Sequence, residues 1–95
     1  MKNRSETGIN NIKELAQQIA ADAKVKLSSI QLEDGRPLGC KDANILSMTS
    51  KGITVYVKIY HDEIEGCHHK IGPGAKPVME KLINGVERLQ VMLKG

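Results

Sequence analysis

Tryptophan and phenylalanine are absent from this 95-residue chain, and two tyrosines, Tyr56 and Tyr60, supply all of its aromatic surface. The core must therefore be built from Ile, Leu, Val, Met and Ala, and aromatic recognition is confined to those two positions. Cysteine is equally scarce. Cys40 and Cys67 are too few for a disulfide framework, and Met1 to Glu6 shows no apolar run of the kind that directs export. No segment is long and apolar enough to span a bilayer. These absences predict a soluble cytoplasmic protein with reduced thiols and no membrane role, in which a small cysteine most simply fills core space.

What is present points to a folded domain. Hydrophobic residues make up 40% of the chain and charged residues 26%, an ordinary balance for a globular protein with one core. The formal charge of +3 leans toward an anionic partner. It falls well short of the Lys/Arg density of a dedicated nucleic-acid binder.

Residues 1–8 are polar and expected to be frayed, leaving 9–95 as a single α+β domain. Ile12, Leu15, Ala16, Ile19, Ala20 and Ala23 recur with helical spacing and predict a helix from about Asn10 to Lys24, with Asn11 as a cap near its start. Between Val25 and Glu33 the apolar alternation changes phase, which fits either a bulged strand or a helix end followed by a shorter strand. Asp34-Gly35-Arg36-Pro37 reads as a turn. Asn44–Ser50 and Ile53–Tyr60 flank Lys51-Gly52 as a hairpin, with Ile53, Val55, Val57 and Ile59 on one face of the second strand. Asp62 to Gly66 reads as another turn, and Cys67 to Ile71 as a short strand. A last helix from about Pro77 to Leu93 carries Val78, Met79, Leu82, Ile83, Val86, Leu89 and Leu93 on one side, with Gly85 expected to approach a neighbouring backbone. The expected architecture is a two-layer α/β sandwich. Its order is helix, three or four antiparallel strands, helix, with both helices on one sheet face.

Three constellations carry candidate chemistry. The densest is His61, Asp62, Glu63, Glu65, Cys67, His68 and His69, which holds every histidine of the chain. If the acidic stretch is a hairpin turn, His61, Cys67 and His69 form a possible ligand set for zinc. The spacing matches no established zinc pattern, and a solvated polar turn with a partly buried cysteine explains the same residues. A Cys–His nucleophile finds no oxyanion-hole motif and no orienting partner, so nothing here marks an enzyme. The second constellation is Gly72-Pro73-Gly74 with Lys70 and Lys76 ahead of the last helix. It suits either an anion or merely a tight connection. The third is Tyr56, Lys58 and Tyr60 on the outward face of the clearest strand, beside Thr54. It suits a partner surface or a stacking platform for single-stranded nucleic acid.

The order helix–three strands–helix resembles the topology of double-stranded-RNA-binding domains. That resemblance would place Glu14 and Gln17 of the first helix toward a minor groove, and Gly72, Gly74 and Lys76 near phosphates. Pro77-Val78-Met79-Glu80 stands where that family carries lysines. The leading functional expectation is a non-enzymatic binding or assembly module, requiring no cofactor, whose exposed sheet face takes a second copy or another protein. The alternative is an RNA- or single-stranded-DNA-binding domain using Tyr56, Lys58, Tyr60, Lys70 and Lys76, with Lys81 in support. The acidic residues Asp62, Glu63 and Glu65 would repel phosphate there. Metal binding through the His61–His69 cluster is the third reading.

Overall fold

A computed structural model describes residues 4–67 and 74–94 of the chain. Helix α1 (Arg4–Asp22) leads into strand β1 (Ser29–Asp34), a 3-10 turn (Arg36–Leu38), strands β2 (Ala43–Ser50) and β3 (Ile53–Tyr60), a short helix α2 (His61–Gly66) and a long helix α3 (Lys76–Lys94). The three strands form one antiparallel sheet in the order β1-β2-β3. α1 and α3 pack against each other and on the same face of that sheet, as the amphipathic patterns require. Among the described residues no helix is long and apolar enough to cross a membrane.

The period-2 pattern of β3 decides which face is covered. Val55, Val57 and Ile59 point at the helices and are buried, opposite Met48 and Leu46 of β2. Ile12, Leu15, Ala16 and Ala20 of α1 meet Val78, Leu82, Val86 and Leu89 of α3 in the same core. Burying one such aliphatic side chain stabilises the fold by about 1.5–3 kcal/mol, so this all-aliphatic layer can hold the domain without an aromatic residue. Ile83, expected on the buried side of α3, is instead 41% exposed. At Lys51-Gly52 both residues adopt positive φ (51° and 80°), which gives the two-residue turn that matches strand twist.

The phase slip after α1 is a helix end followed by a shorter strand. Lys24 takes φ 61°, its N–H bonds the Ala21 carbonyl (3.0 Å), and the Val25 N–H bonds the Ala20 carbonyl (2.8 Å). That is a left-handed helix stop, and it drops Val25 into the core before β1 begins. The expected turn at Asp34 is tied by the Asp34 carboxylate, which accepts bonds from the Arg36 N–H (2.9 Å) and Nε (2.7 Å). Those bonds hold the Asp34 carboxyl below its ordinary value, the side-chain bond contributing most.

Four local expectations are corrected. The stretch Asp62–Gly66 is helical, because Ile64 is buried against α1 and draws the segment into one turn and a half of helix. No strand begins at Cys67, which closes α2; residues 68–71 lie outside the described residues. Asn11 caps no N-terminus of its own. It sits inside α1 and donates from Nδ2 to the Cys67 carbonyl (2.8 Å) at the end of α2. Gly85 approaches side chains rather than backbone, since a Cβ there would lie 2.8 Å from Val57 Cγ2 and 2.9 Å from Met48 Cε.

α1 also starts earlier than the periodicity suggests, and Gly8 is the reason. A Cβ on Gly8 would lie 2.0 Å from the Ile64 carbonyl oxygen, so the first turns of α1 close directly on the α2 backbone. In a free helix, glycine to alanine stabilises by about 1 kcal/mol. Here the sign reverses: Gly8→Ala is expected to lower stability by about 1–3 kcal/mol through overpacking against a backbone that cannot yield. Urea denaturation measures it, and an unchanged or raised midpoint would contradict the contact.

Candidate functional site: the open sheet face and its β3 margin

With both long helices on one side, the other face of the sheet is left bare among the described residues. The registers assemble it row by row. Ser29, Thr49 and Thr54 form one row, Gln31, Ser47 and Tyr56 the next, Glu33, Ile45 and Lys58 a third, and Tyr60 the last, beside an Ala43 that is itself buried. Thr49 Oγ1 and Thr54 Oγ1 lie 2.7 Å apart and share a hydrogen bond. Tyr56 is 62% exposed, the most open aromatic surface in the molecule, and Tyr60 is 37% exposed. Tyr56, Lys58 and Tyr60 therefore stand together on this face as their alternation predicted.

The β3 margin is closed by charged side chains from below. Arg88 and Lys81 of α3 donate to the carbonyls of Tyr56 (2.9 Å) and Lys58 (3.0 Å), and the Tyr60 N–H donates to the Glu63 carboxylate (2.9 Å). Lys81 and Glu63 are themselves an ion pair at 2.5 Å, partly shielded from solvent. Three outward groups of this edge strand, the Tyr56 and Lys58 carbonyls and the Tyr60 N–H, are thus satisfied within the chain. Sequence reasoning named Lys81 only as a cation and did not foresee this role. The signal was the seven-residue spacing of Lys81 and Arg88, which puts both cations on one side of the helix.

Lysine also covers the Tyr60 ring. Lys58 Nζ lies 5.0 Å and Lys81 Nζ 4.7 Å from the ring centroid, within cation–π range. The Tyr60 phenol, and after it the Cys40 thiol, pushes the Lys58 ammonium above its ordinary value. Glu33 shares the Lys58 row on the sheet, across Ile45. The face is consequently close to neutral, with its cations already engaged by anions and by an aromatic ring.

The remaining sites are scattered. His61 is exposed at the start of α2 and Cys67 is buried at its end, so no ladder joins them. His68, His69, Lys70, Gly72 and Pro73 lie outside the described residues. Among the described residues no group of three His, Cys, Asp or Glu side chains could hold a metal ion. Lys76 is exposed as the first residue of α3, away from the tyrosine rows. Cys40 and Cys67 are both free thiols. Burial pushes the Cys67 thiol up, with Glu63 adding to the effect.

No protein-family model, curated protein or solved structure matches this chain. The likeness to double-stranded-RNA-binding domains accordingly stays one of element order and transfers no residue role.

Two outcomes follow from the charged margin and the buried thiol. Lys81→Met is expected to destabilise by about 1–3 kcal/mol, because it leaves a shielded carboxylate and a strand carbonyl without their donor. Adding Glu63→Gln should restore part of the loss, and purely additive losses in a double-mutant cycle would disprove the pairing. The raised Cys67 value means its thiol favours folding fully below the ordinary 9.0 and that this contribution is lost as pH rises from there through the folded value. Above pH 9.0 the wild type should lose stability more steeply than Cys67→Ala. Parallel pH profiles of the two proteins would refute that.

Proposed function

We propose that this chain is a non-catalytic binding or assembly module, working in a reducing compartment, whose bare sheet face is covered by a polypeptide partner. The observation that carries the reading is the one-sided layering. Both long helices spend their apolar faces on one side of the sheet, and Tyr56 stands open on the other beside Ile45, Lys58 and Tyr60. A tyrosine set among half-buried aliphatic and hydroxyl side chains supplies rigid contact area with a hydrogen-bonding tip, the usual make-up of a protein-binding centre. The two free thiols fit a reducing compartment.

Nucleic-acid binding has less support. Phosphate would have to compete with Glu63 for Lys81 and would meet Glu33 in the row of Lys58, across Ile45. A base seeking the Tyr60 ring would displace the two ammonium groups already over it.

The test places a photo-activated cross-linking residue at Ser47, the register partner of Tyr56. In cells, adducts to a defined polypeptide are expected, and they should disappear in the Tyr56→Ala, Tyr60→Ala chain. Adducts to RNA or DNA instead, or adducts indifferent to both tyrosines, would overturn the reading.

A further inference from the structure

β1 is the edge strand that no described residue closes. Hydrogen bonding alternates along an antiparallel strand, and the Gly35 N–H to the Ala43 carbonyl (3.0 Å) sets its phase. Ser29, Gln31 and Glu33 therefore turn their backbone groups toward β2, while Ile30 and Leu32 turn theirs outward. Among the described residues no side chain meets those outward groups, although β3 has Arg88, Lys81 and Glu63 for that purpose. β1 also lacks three of the usual guards of an edge: Ser29–Asp34 holds no proline and no lysine, and its register with β2 runs without a bulge, its only charges being Glu33 and Asp34 at one end.

We propose that a second copy of this chain pairs antiparallel with β1, about a two-fold axis at Gln31. In that register Ile30 exchanges both backbone hydrogen bonds with Leu32 of the second copy, and Leu32 does the same with Ile30. The side chains agree with the backbone. Ile30 and Leu32 are both half-buried at the margin of the core, and each meets the other's copy on the helix-covered side. On the bare side Ser29 stands opposite Glu33 and Gln31 opposite its own copy, so no like charges face each other. An axis one residue later, at Leu32, would set Ile30 against Asp34 and force a carboxylate onto an apolar side chain.

One further feature favours the second copy over an unrelated strand. A groove of about 320 Å³ beside the edge has an apolar side of Ala21, Val25, Leu27 and Ile30, next to the place of the second copy's Leu32, and a polar side of Gln17, Lys26, Ser28 and Ser29.

Two three-stranded sheets then become one continuous sheet, with both bare faces on the same side. Five strand spacings separate the two copies of β3, which sets the paired Tyr56 patches roughly 24 Å apart. The dimer is thereby a bivalent version of the bare face, and it forms regardless of what that face binds.

Light scattering after size-exclusion chromatography of the full chain, over a concentration series, is expected to show a dimer. Gln31 is exposed, so Gln31→Lys leaves the fold intact and sets two ammonium groups across the axis. It should raise the dimer Kd roughly fivefold or more. In a Cys40→Ser background, Gln31→Cys should form an intermolecular disulfide under mild oxidation, because Cα atoms facing across a non-hydrogen-bonded pair lie about 4.5 Å apart. A chain monomeric at every concentration overturns the proposal. So does a dimer that Tyr56→Ala weakens and Gln31→Lys does not, which would move the association to the bare face. Cross-linking at Ser47 reads the face and these variants read the edge, so either idea can fail without the other.

Discussion

Glu63, Lys81 and Arg88 do for one side of the sheet what no described residue does for the other. A three-stranded sheet has two open edges, and each presents backbone groups able to capture another strand. On the β3 side the capture is forestalled by two cations of α3 and one carboxylate of α2, each placed on an outward backbone group. That placement depends on α3 lying close along β3. Close approach in turn needs Gly85, whose missing Cβ leaves room for Val57 and Met48. The same docking turns every long apolar face toward one side of the sheet and so defines the bare one.

The small helix α2 links this arrangement to the rest of the core. Its Glu63 reaches the β3 margin, its Ile64 enters the core against α1, and its final carbonyl region is held by Asn11. Gly8 and Ile64 meet backbone to side of helix, which locks the start of α1 to the end of the sheet. A run of acidic residues thus has a structural purpose in this fold. Glu63 completes an edge and pairs with Lys81 before any external cation arrives, and Ile64 beside it anchors a helix.

The long periodic elements were legible because their burial repeats along the chain. The α1 stripe, the β3 alternation and the apolar side of α3 each carry the same message several times over, and a single deviation such as Ile83 does not mask it. The tyrosine–lysine row was legible for the same reason. What stayed hidden depends on single contacts between distant segments. Asp62–Gly66 has turn-like composition, and the burial of Ile64 together with the Glu63 bond to the Tyr60 N–H makes it helical. Gly8 looks like a breaker until α2 is seen against it. Asn11 has the chemistry of a cap and serves as one, for a helix about fifty residues away in sequence. The closure of β3 by Lys81 and Arg88 was out of reach without knowing which strand lies beside α3. The histidine cluster was legible as a cluster, yet His61 and Cys67 fall at opposite ends of α2.

Unequal edges are the centre of this account, and amide hydrogen exchange read residue by residue tests them most directly. In dilute solution the Tyr60 N–H, bonded to Glu63, should exchange slowly, while the outward N–H groups of Ile30 and Leu32 exchange fast. Raising the protein concentration should slow Ile30 and Leu32 and leave Tyr60 unchanged. Equal exchange at the two edges, or a concentration effect at Tyr60 and none at Ile30 and Leu32, would contradict it.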